Sequence, residues 1–278
     1  MGAQRMGSQP QTLGIIAGSK SLPIELAKTA KTAGIGRIVT IAFKGETKKE
    51  MQGLSDSIHW LNVGQLEEMI RIFQYEGVSQ CVMAGQIAPK NLFRLRPDKR
   101  ARQLLMNLEK KNAHTIFGAI ADELAKDGIE LITAVPWLKT MMPGAGFRIG
   151  PEPSQQQQSD ADYGFGIAKE VSKLEIGQTV VVKEGTVLAV EGFEGTDACL
   201  KRGGKLAGRS GGALAAKVAK KNHDLRFDIP CVGPQTIKTC ARHGINTVVI
   251  EAERTLLLER EEMTALAERR GITLLTLA

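Results

Sequence analysis

Two aspartates flank an arginine in the run DLRFD at 224–228, the strongest local cluster of groups that could carry out chemistry. In an extended segment alternate side chains point to opposite faces, so Asp224, Arg226 and Asp228 are expected on one face. One interpretation is a surface ion pair, which contributes about 0 to 1 kcal/mol. The other is a polyanion site, in which a carboxylate holds Mg²⁺ and the guanidinium grips a phosphate oxygen. Both interpretations stay open from the residues alone.

A second cluster, EGFEGTD at 191–197, follows a predicted strand and precedes a predicted helix. Thr196 or Asp197 is suited to cap that helix. Asp197 is also a candidate ligand for a divalent metal, and the two roles can coexist. Arg202, with the glycine pair after it, is a candidate phosphate contact. The turn GPQT places Thr236 near the start of another helix, where it is a candidate substrate contact.

Two lysines, Lys183 and Lys217, stand in otherwise apolar strands. A strand lysine commonly protects an exposed sheet edge from pairing with another chain. The alternative is that both ammonium groups contact phosphate. Neither interpretation is excluded by the pattern.

Two glycine-containing turns are weaker candidates for a substrate site. Gly18 and Ser19 lie between a strand and a helix, where backbone N–H groups left unpaired suit a phosphate or a nucleotide edge. The turn is neither GxGxxG nor GxxxxGK[ST], so the dinucleotide and Walker patterns fail on spacing. Gly85 and Gln86 end a later strand, where a small residue lets a ligand approach.

The elements that must position these groups alternate between strand and helix in the first half of the chain. Strands are predicted at 13–17, 37–43, 58–63, 80–84 and 129–134, and helices from 23 and at 65–75, 101–110 and 115–126. Such alternation predicts an α/β fold with a doubly wound, Rossmann-like parallel sheet, whose ligands bind at the carboxyl ends of the strands.

The second half restarts after a stretch rich in proline, glycine and glutamine. We predict a disordered tail at 1–12, a first domain on the nucleotide side at 13–142, a linker at 143–159 and a catalytic α/β domain at 160–278. The predicted strands of this domain lie at 179–183, 186–191, 213–219, 247–252 and 272–277, and its helices at 160–174, 234–242 and 259–269. The first two strands form a hairpin that turns at Glu184-Gly185.

Composition limits the class of protein. The 278 residues are 42% hydrophobic and 24% charged, as in globular proteins, and the formal charge of +7 favours anionic partners. Aromatic residues make up only 4%, which argues against stacking on single-stranded nucleic acid. No apolar run approaches the roughly 20 residues of a membrane span, and four cysteines without CxxC spacing indicate reduced thiols. A cytoplasmic protein is expected.

Motifs from both halves resemble one family when taken in order. These are LGIIAGSKSLP at 13–23, VMAGQI at 82–87, LRPD at 95–98, VVVKEGTVLAVEGFEGTDACLKR at 180–202, DLRFDIPCVGPQTI at 224–237 and RTLLLEREEMTALAERRGI at 254–272. The chain resembles the metal-dependent, two-domain UDP-2,3-diacylglucosamine pyrophosphatases of lipid A biosynthesis (LpxI type). The resemblance covers nearly the whole sequence.

The resemblance implies Mg²⁺-dependent hydrolysis of the substrate pyrophosphate to UMP and 2,3-diacylglucosamine 1-phosphate (lipid X), with Mn²⁺ as an alternative metal. The aspartate that the family needs for activity corresponds to Asp228. With it, Asp197 is assigned to the metal, Arg226 to catalysis, and the glycine turns to the uridine side. The substrate-binding set is Gly18, Ser19, Gly85, Gln86, Lys183, Thr196, Lys217 and Thr236. The partner is the lipid-linked UDP-sugar and no nucleic acid, with peripheral contact to the inner membrane and homo-oligomerisation left open.

The sequence departs from the family at two places. Asn112-Ala113-His114 stands where the family has Gly-Asp-Asp, and Lys20 stands where it favours glycine. The first departure motivates an alternative function, a non-catalytic relative that binds the nucleotide sugar or the lipid. A nucleic-acid binder is suggested by the charge of +7 alone.

Overall fold

The computed structural model describes residues 10–87, 97–110, 113–220 and 224–278. The chain divides into two units. The first is Met1–Leu138 with Asp224–Asp228, and the second is Lys139–His223 with Ile229–Ala278. The predicted continuous domain at 160–278 therefore differs from the structure, in which a short segment of the second half folds with the first unit. The predicted tail lies outside the described residues up to residue 9.

The first unit is built on a five-stranded parallel sheet with the order β3-β2-β1-β4-β5. Its strands are β1 (Thr12–Ala17), β2 (Arg37–Phe43), β3 (Ser57–Leu61), β4 (Gln80–Ala84) and β5 (Glu130–Leu131). The direction of strand addition reverses between β1 and β4, which is the switch point where ligands bind in doubly wound sheets. The predicted fold class is confirmed.

Helices join these strands. They are α1 (Leu22–Thr32), α2 (Leu66–Tyr75), α3 (Lys99–Asn107), α4 (Ala113–Lys126) and the single turn α5 (Val135–Leu138), with a 3₁₀ helix at Lys49–Gly53. In α2 the buried Leu66, Met69, Ile70 and Phe73 recur at helical spacing and pack on the sheet. Burial of this face, together with local propensity, is what stabilises α2.

The second unit contains a mixed six-stranded sheet with the order β6-β13-β11-β9-β7-β8. Its strands are β6 (Arg148–Ile149), β7 (Thr179–Lys183), β8 (Thr186–Val190), β9 (Ala213–Lys217), β11 (Ile245–Glu251) and β13 (Thr273–Leu277). Strands β9, β11 and β13 are parallel, whereas β7 runs antiparallel to β9. Apolar clusters cover both faces of this sheet.

The helices of the second unit pack on this sheet. They are α6 (Gln155–Lys173), α7 (Thr196–Leu206), α8 (Pro234–Arg242) and α9 (Arg260–Arg269). A small parallel pair, β10 (Cys231–Val232) and β12 (Leu256–Leu257), lies beside it. The bounds of β7 and α8 coincide with their predicted ranges.

The predicted linker at 143–159 is partly regular structure. It contains β6 and the first turn of α6. The glutamine run starts that helix because Ser154 and Gln157 form a capping box, in which the Gln157 backbone N donates to Ser154 Oγ at 3.2 Å and the Ser154 backbone N donates to Gln157 Oε1 at 2.8 Å. The composition of residues 143–159 predicted a flexible linker, but the capping box starts a helix within it.

The predicted hairpin of β7 and β8 is confirmed. Glu184 and Gly185 form its turn with φ of 48° and 71°, the left-handed pair of a two-residue hairpin. The buried Asp160 of α6 accepts hydrogen bonds from both of their backbone N–H groups at 2.8 Å. This carboxylate ties the hairpin to α6.

The cysteines are free thiols, as the sequence predicted. The four cysteines, all in the described part of the chain, form no disulfide, and burial raises the pKa of Cys81, Cys199 and Cys240 to about 12. These three thiols are therefore protonated and inert at neutral pH.

Within the described ranges no helix has the length and apolar content needed to cross a bilayer.

Lys20 has a left-handed backbone, with φ of 70°. This conformation costs a residue with a Cβ about 1–2 kcal/mol, and the glycine that the resemblance implies at this position would avoid that cost. The extra chain entropy that glycine loses on folding offsets part of this relief of strain. We therefore expect Lys20→Gly to raise the free energy of unfolding by about 0.5–1 kcal/mol. Lys48, equally exposed with φ of −69°, is the control, since glycine there should be destabilising. Urea unfolding of both variants tests this, and a loss of stability in both would contradict it.

Glu76 ends α2 in a polar cluster at the amino edge of the first sheet. Its carboxylate accepts from Ser57 Oγ at 2.6 Å, contacts His59 Nε2 at 2.7 Å and pairs with Arg37. The Ser57 hydroxyl, followed by His59 and Arg37, lowers the pKa of Glu76 from its ordinary 4.5 to about 2. The group is thus more acidic in the folded protein. The stability that it contributes is present above pH 4.5 and is lost as the pH falls towards 2.

We expect Glu76→Gln to lower the free energy of unfolding at pH 7 by about 1–3 kcal/mol. The difference from wild type should shrink as the pH falls from 4.5 to 2. Denaturant unfolding at a series of pH values measures this, with the exposed Glu50→Gln as the control. A difference that stays constant down to pH 2 would contradict the assignment.

Candidate functional site

The turns after β1 and β4 are joined to each other at the carboxyl edge of the first sheet. Ser19 and Gln86 form an antiparallel bridge, in which the Ser19 N–H and Oγ both donate to the Gln86 carbonyl at 2.8 and 2.6 Å. The Gly18 N–H donates to the Ala84 carbonyl at 2.8 Å. Of the N–H groups that the turn at 17–23 was predicted to leave unpaired, those of Gly18 and Ser19 are therefore already used by the backbone. The extended strand edge continues into the turn and uses them.

Both glycines of these turns are required by this bridge. A Cβ on Gly18 would lie 2.8 Å from the Gln86 backbone N. Gly85 has φ of +88°, and a Cβ there would lie 2.6 Å from the Ser19 carbonyl oxygen. Close backbone packing thus explains the glycines without a ligand. The Gln86 side chain is exposed at this edge and stays a candidate contact.

The segment Asp224–Asp228 is a turn in the first unit, so the prediction that it is extended is wrong. The backbone N–H groups of Phe227 and Asp228 both donate to the Asp224 carbonyl, at 3.2 and 3.1 Å. The Asp224 side chain accepts from the Arg226 N–H at 3.1 Å. Aspartate favours turns through this kind of hydrogen bond to its own backbone, and that preference overrides the strand-like alternation.

Contacts with the first unit hold this turn at the carboxyl side of β5. Phe227 packs against the apolar cluster of the first sheet, and its ring centroid is 5.7 Å from that of Phe117. Thr133, two residues after β5, donates from its hydroxyl to the Leu225 carbonyl at 2.9 Å. Asp228 is therefore carried to the edge of the sheet where ligands of doubly wound folds bind.

Arg226 is engaged by the neighbouring aspartate. Its Nε and Nη2 lie 2.9 and 2.6 Å from the two carboxylate oxygens of Asp224. This carboxylate raises the pKa of Arg226. The geometry matches the ion-pair interpretation of the cluster, while the phosphate contact of Arg226 stays a prediction.

The second unit brings Lys217 and Thr196 together at the carboxyl edge of its sheet. Lys217 ends β9, and its Nζ lies 3.3 Å from Thr196 Oγ1 and 3.1 Å from the Cys231 carbonyl. Thr196 is the first residue of α7. An ammonium and the N–H groups of a helix start thus converge, and this set is suited to bind an anion such as phosphate.

Three other candidate residues of the second unit, Asp197, Arg202 and Thr236, form no hydrogen bond with Lys217 within the described residues. Gly195 caps α7 and neither Thr196 nor Asp197 does, so the predicted N-cap is wrong; the exposed Asp197 is the second helical residue. Arg202 pairs with Glu194 at 2.6 Å and donates to the Val190 carbonyl at 2.8 Å. Thr236 lies in the first turn of α8, as predicted, and is half-buried.

Lys183 lies at the opposite edge of the sheet from Lys217. Thr179 of β7 pairs with Lys217, and Lys183 is four residues further along β7, about 13 Å away. Its Nζ donates to the Ala207 carbonyl and to Ser210 Oγ, both at 3.1 Å, just beyond the carboxyl end of α7. A cation is favoured at that end of a helix, which explains Lys183 structurally. The two lysines cannot be assigned to one phosphate.

Sequence reasoning missed Glu191, which is 7% exposed and accepts a hydrogen bond from Thr196 Oγ1 at 3.0 Å. Its one signal was a glutamate directly after an apolar strand. Asn112 and the side chain of His114 lie outside the described residues. Within the described ranges, no group of three or more histidine, cysteine or acidic side chains is arranged to hold a metal ion.

These features define a two-unit α/β protein with polar groups gathered at the carboxyl edges of both sheets. A family model described as the LpxI N-terminal domain matches residues 12–141, and one described as the LpxI C-terminal domain matches residues 144–275. The curated "UDP-2,3-diacylglucosamine pyrophosphatase LpxI" of Caulobacter vibrioides is 33% identical over 276 residues, which are 95% of this chain and 96% of that protein. The chain belongs to the LpxI family.

Two solved structures are only distantly similar. The biotin carboxylase subunit of pyruvate carboxylase is 13% identical, with a TM-score of 0.27 over 66% of this chain and 36% of the other. Glycinamide-RNase-transformylase T from Mycobacterium tuberculosis is 12% identical, with a TM-score of 0.25 over 65% and 44%. Similarity at this level supports no argument about the fold.

The two strand-end lysines offer a matched test of the site. We expect Lys217→Met to weaken the binding of inorganic pyrophosphate by about 10- to 100-fold, because a charged hydrogen bond is lost. Lys183→Met should leave the affinity nearly unchanged. Isothermal titration calorimetry measures both, with thermal unfolding as a check on the fold. Equal losses in the two variants would show that the edge carrying Lys217 is not the anion site.

Proposed function

We propose that this protein hydrolyses the pyrophosphate bond of UDP-2,3-diacylglucosamine, with Mg²⁺, to 2,3-diacylglucosamine 1-phosphate (lipid X) and UMP. The observation that carries the proposal is the match to a named pyrophosphatase over 95% of the chain, through both domains of the family. The convergence of the Lys217 ammonium with the start of α7 supports it, because an ammonium and helix-start N–H groups suit a phosphate.

The donor set is compatible with Mg²⁺. This ion keeps several waters and binds through one or two carboxylates together with substrate phosphates, so it needs no cage of protein ligands. We propose Asp228 as the carboxylate that would hold the ion, and Asp197 stays a candidate ligand of the second unit. When bound, Mg²⁺ neutralises charge on the phosphoryl oxygens.

The protein's own groups then have separate tasks. A pyrophosphate diester is anionic and repels a nucleophile, so it needs cations and fixed donors around it. Lys217 directs an N–H towards a phosphate oxygen, and the start of α7 supplies backbone N–H groups. Asp228, carried on its turn, is held rigidly by the Thr133 and Phe117 contacts of neighbouring residues. Gln86 is the candidate contact of the first unit for the uridine side.

The substrate class is a lipid-linked UDP-sugar, and we place the reaction in the cytoplasm. Peripheral contact with the inner membrane stays a prediction, as do the oligomeric state and the use of Mn²⁺.

The direct test is product release. Purified protein with UDP-2,3-diacylglucosamine and Mg²⁺ should release UMP, and chelation of the metal should stop the release. Asp228→Asn should lower kcat by about 100- to 1,000-fold, the usual effect of losing one catalytic charge. The control is Asp162→Asn, an exposed aspartate of α6, which should retain the wild-type rate. Chromatography of UMP measures all four reactions.

The same assay separates the rival function. A non-catalytic relative would bind the substrate tightly and release no UMP. If wild type and Asp228→Asn are equally inactive under these conditions, hydrolysis is excluded and the binding function takes its place.

A further inference from the structure

Glu191 has a fixed backbone at the edge that carries Lys217. It follows β8 directly, and its N–H donates to the Thr179 carbonyl at 2.8 Å. Gly177 lies against it so closely that a Cβ at 177 would be 2.1 Å from the Glu191 carbonyl oxygen. The position of this glutamate is therefore determined by two neighbouring segments.

The Glu191 carboxylate is buried and only half used. Oε1 accepts from Thr196 Oγ1 at 3.0 Å, whereas Oε2 is buried with no hydrogen-bond partner in the described part of the chain. An unpaired buried carboxylate oxygen is costly, and a neutral glutamine could accept the same hydrogen bond. Stability alone therefore does not explain the negative charge.

The hydrogen-bond directions around Thr196 follow from what its neighbours can do. Its single hydroxyl proton goes to Glu191, because a carboxylate only accepts. The Thr179 hydroxyl, 3.4 Å from Thr196 Oγ1, is therefore the donor of that contact. The Lys217 ammonium, at 3.3 Å, only donates, so Thr196 Oγ1 accepts from it. Thr196 thus connects the carboxylate to the ammonium, and its proton is already committed and is not offered to a substrate.

Lys217 needs a compensating negative charge. It lies beside the amino end of α7, where the helix dipole disfavours a cation. Among the described ion pairs none joins Lys217 to a carboxylate. Two of its three N–H groups are directed to Thr196 and to the Cys231 carbonyl, which leaves one for a ligand.

We propose that Glu191 is a positioning residue, which acts through Thr196 to orient Lys217 towards a substrate phosphate. The inference rests on the proposed function, since it assigns Lys217 to the phosphate of that reaction. Glu191 itself contacts neither the reacting atoms nor the substrate. Its effect is carried by one hydroxyl group.

Other ionisable groups lie on the elements next to Lys217. They are Asp197 of α7, Cys231 of β10, and Glu251 at the end of β11 with Lys169 of α6. Glu251 is also 7% exposed, but its carboxylate is taken by Lys169 Nζ at 2.8 Å and by the Ala219 N–H at 2.8 Å. It is therefore a matched control, a glutamate of equal burial whose charge already has a cation.

The test compares Glu191→Gln, Thr196→Val, their double variant, Thr196→Ser and Glu251→Gln. We expect Glu191→Gln to lower kcat/KM about tenfold, mainly through a higher KM, because Lys217 is then no longer oriented towards the phosphate. Thr196→Val should lower kcat/KM similarly, and the double variant should be no worse than either, because both changes break one connection. Thr196→Ser should retain the wild-type KM and kcat, because it keeps the hydroxyl group.

A second readout does not require turnover. Isothermal titration calorimetry with inorganic pyrophosphate should show weaker binding in Glu191→Gln and in Thr196→Val, and wild-type binding in Thr196→Ser and Glu251→Gln. A wild type that releases no UMP defeats the proposed function but leaves this binding to decide the role of Glu191. An unchanged pyrophosphate affinity in Glu191→Gln, or an equal loss in Glu191→Gln and Glu251→Gln, overturns the inference.

Discussion

A lysine beside the amino end of a helix opposes the electrostatics of that helix, and the site of the second unit depends on this arrangement. Lys217 lies at the start of α7, and Lys183 lies near its other end. The eleven residues of α7 separate the two ends by about 16 Å. At the carboxyl end a cation stabilises the helix, so Lys183 needs no ligand. At the amino end a cation does not stabilise the helix. We therefore propose negatively charged groups near Lys217, namely Glu191 and, in the reaction, a phosphate.

Each unit places its polar groups at the carboxyl edge of parallel strands. In the first unit this edge carries the Ser19–Gln86 bridge and the turn with Asp228. In the second it carries Lys217, Thr196 and Glu191. The short segment that returns from the second half to the first unit is what gives the first sheet its acidic group. The unit boundaries therefore do not follow the order of the sequence.

Local patterns predicted the elements well, because burial periodicity and turn residues are local properties. The strands β2, β4 and β7 and the helix α8 have their predicted bounds. Side-chain hydrogen bonds to the backbone caused the main errors, since they compete with composition and alternation. The capping box of Ser154 starts a helix inside a predicted linker, and Asp224 folds a predicted extended segment into a turn.

Site residues were harder to predict, because strand direction is not encoded locally. Lys183 and Lys217 look alike in the sequence, and only the antiparallel pairing of β7 with β9 places them at opposite edges. Gly18 and Gly85 looked like ligand turns, yet their backbones pack on each other. Glu191 gave almost no signal, since its role depends on Thr196 and Lys217 converging from two other elements.

The central claim is that substrate phosphate is bound at the start of α7, by an ammonium held in place by Thr196. A crystal structure of the protein with UMP and Mg²⁺ tests it most directly. The account predicts a phosphate oxygen within about 3.2 Å of Lys217 Nζ. A nucleotide phosphate bound at Lys183, with no ligand atom near Lys217, would contradict it.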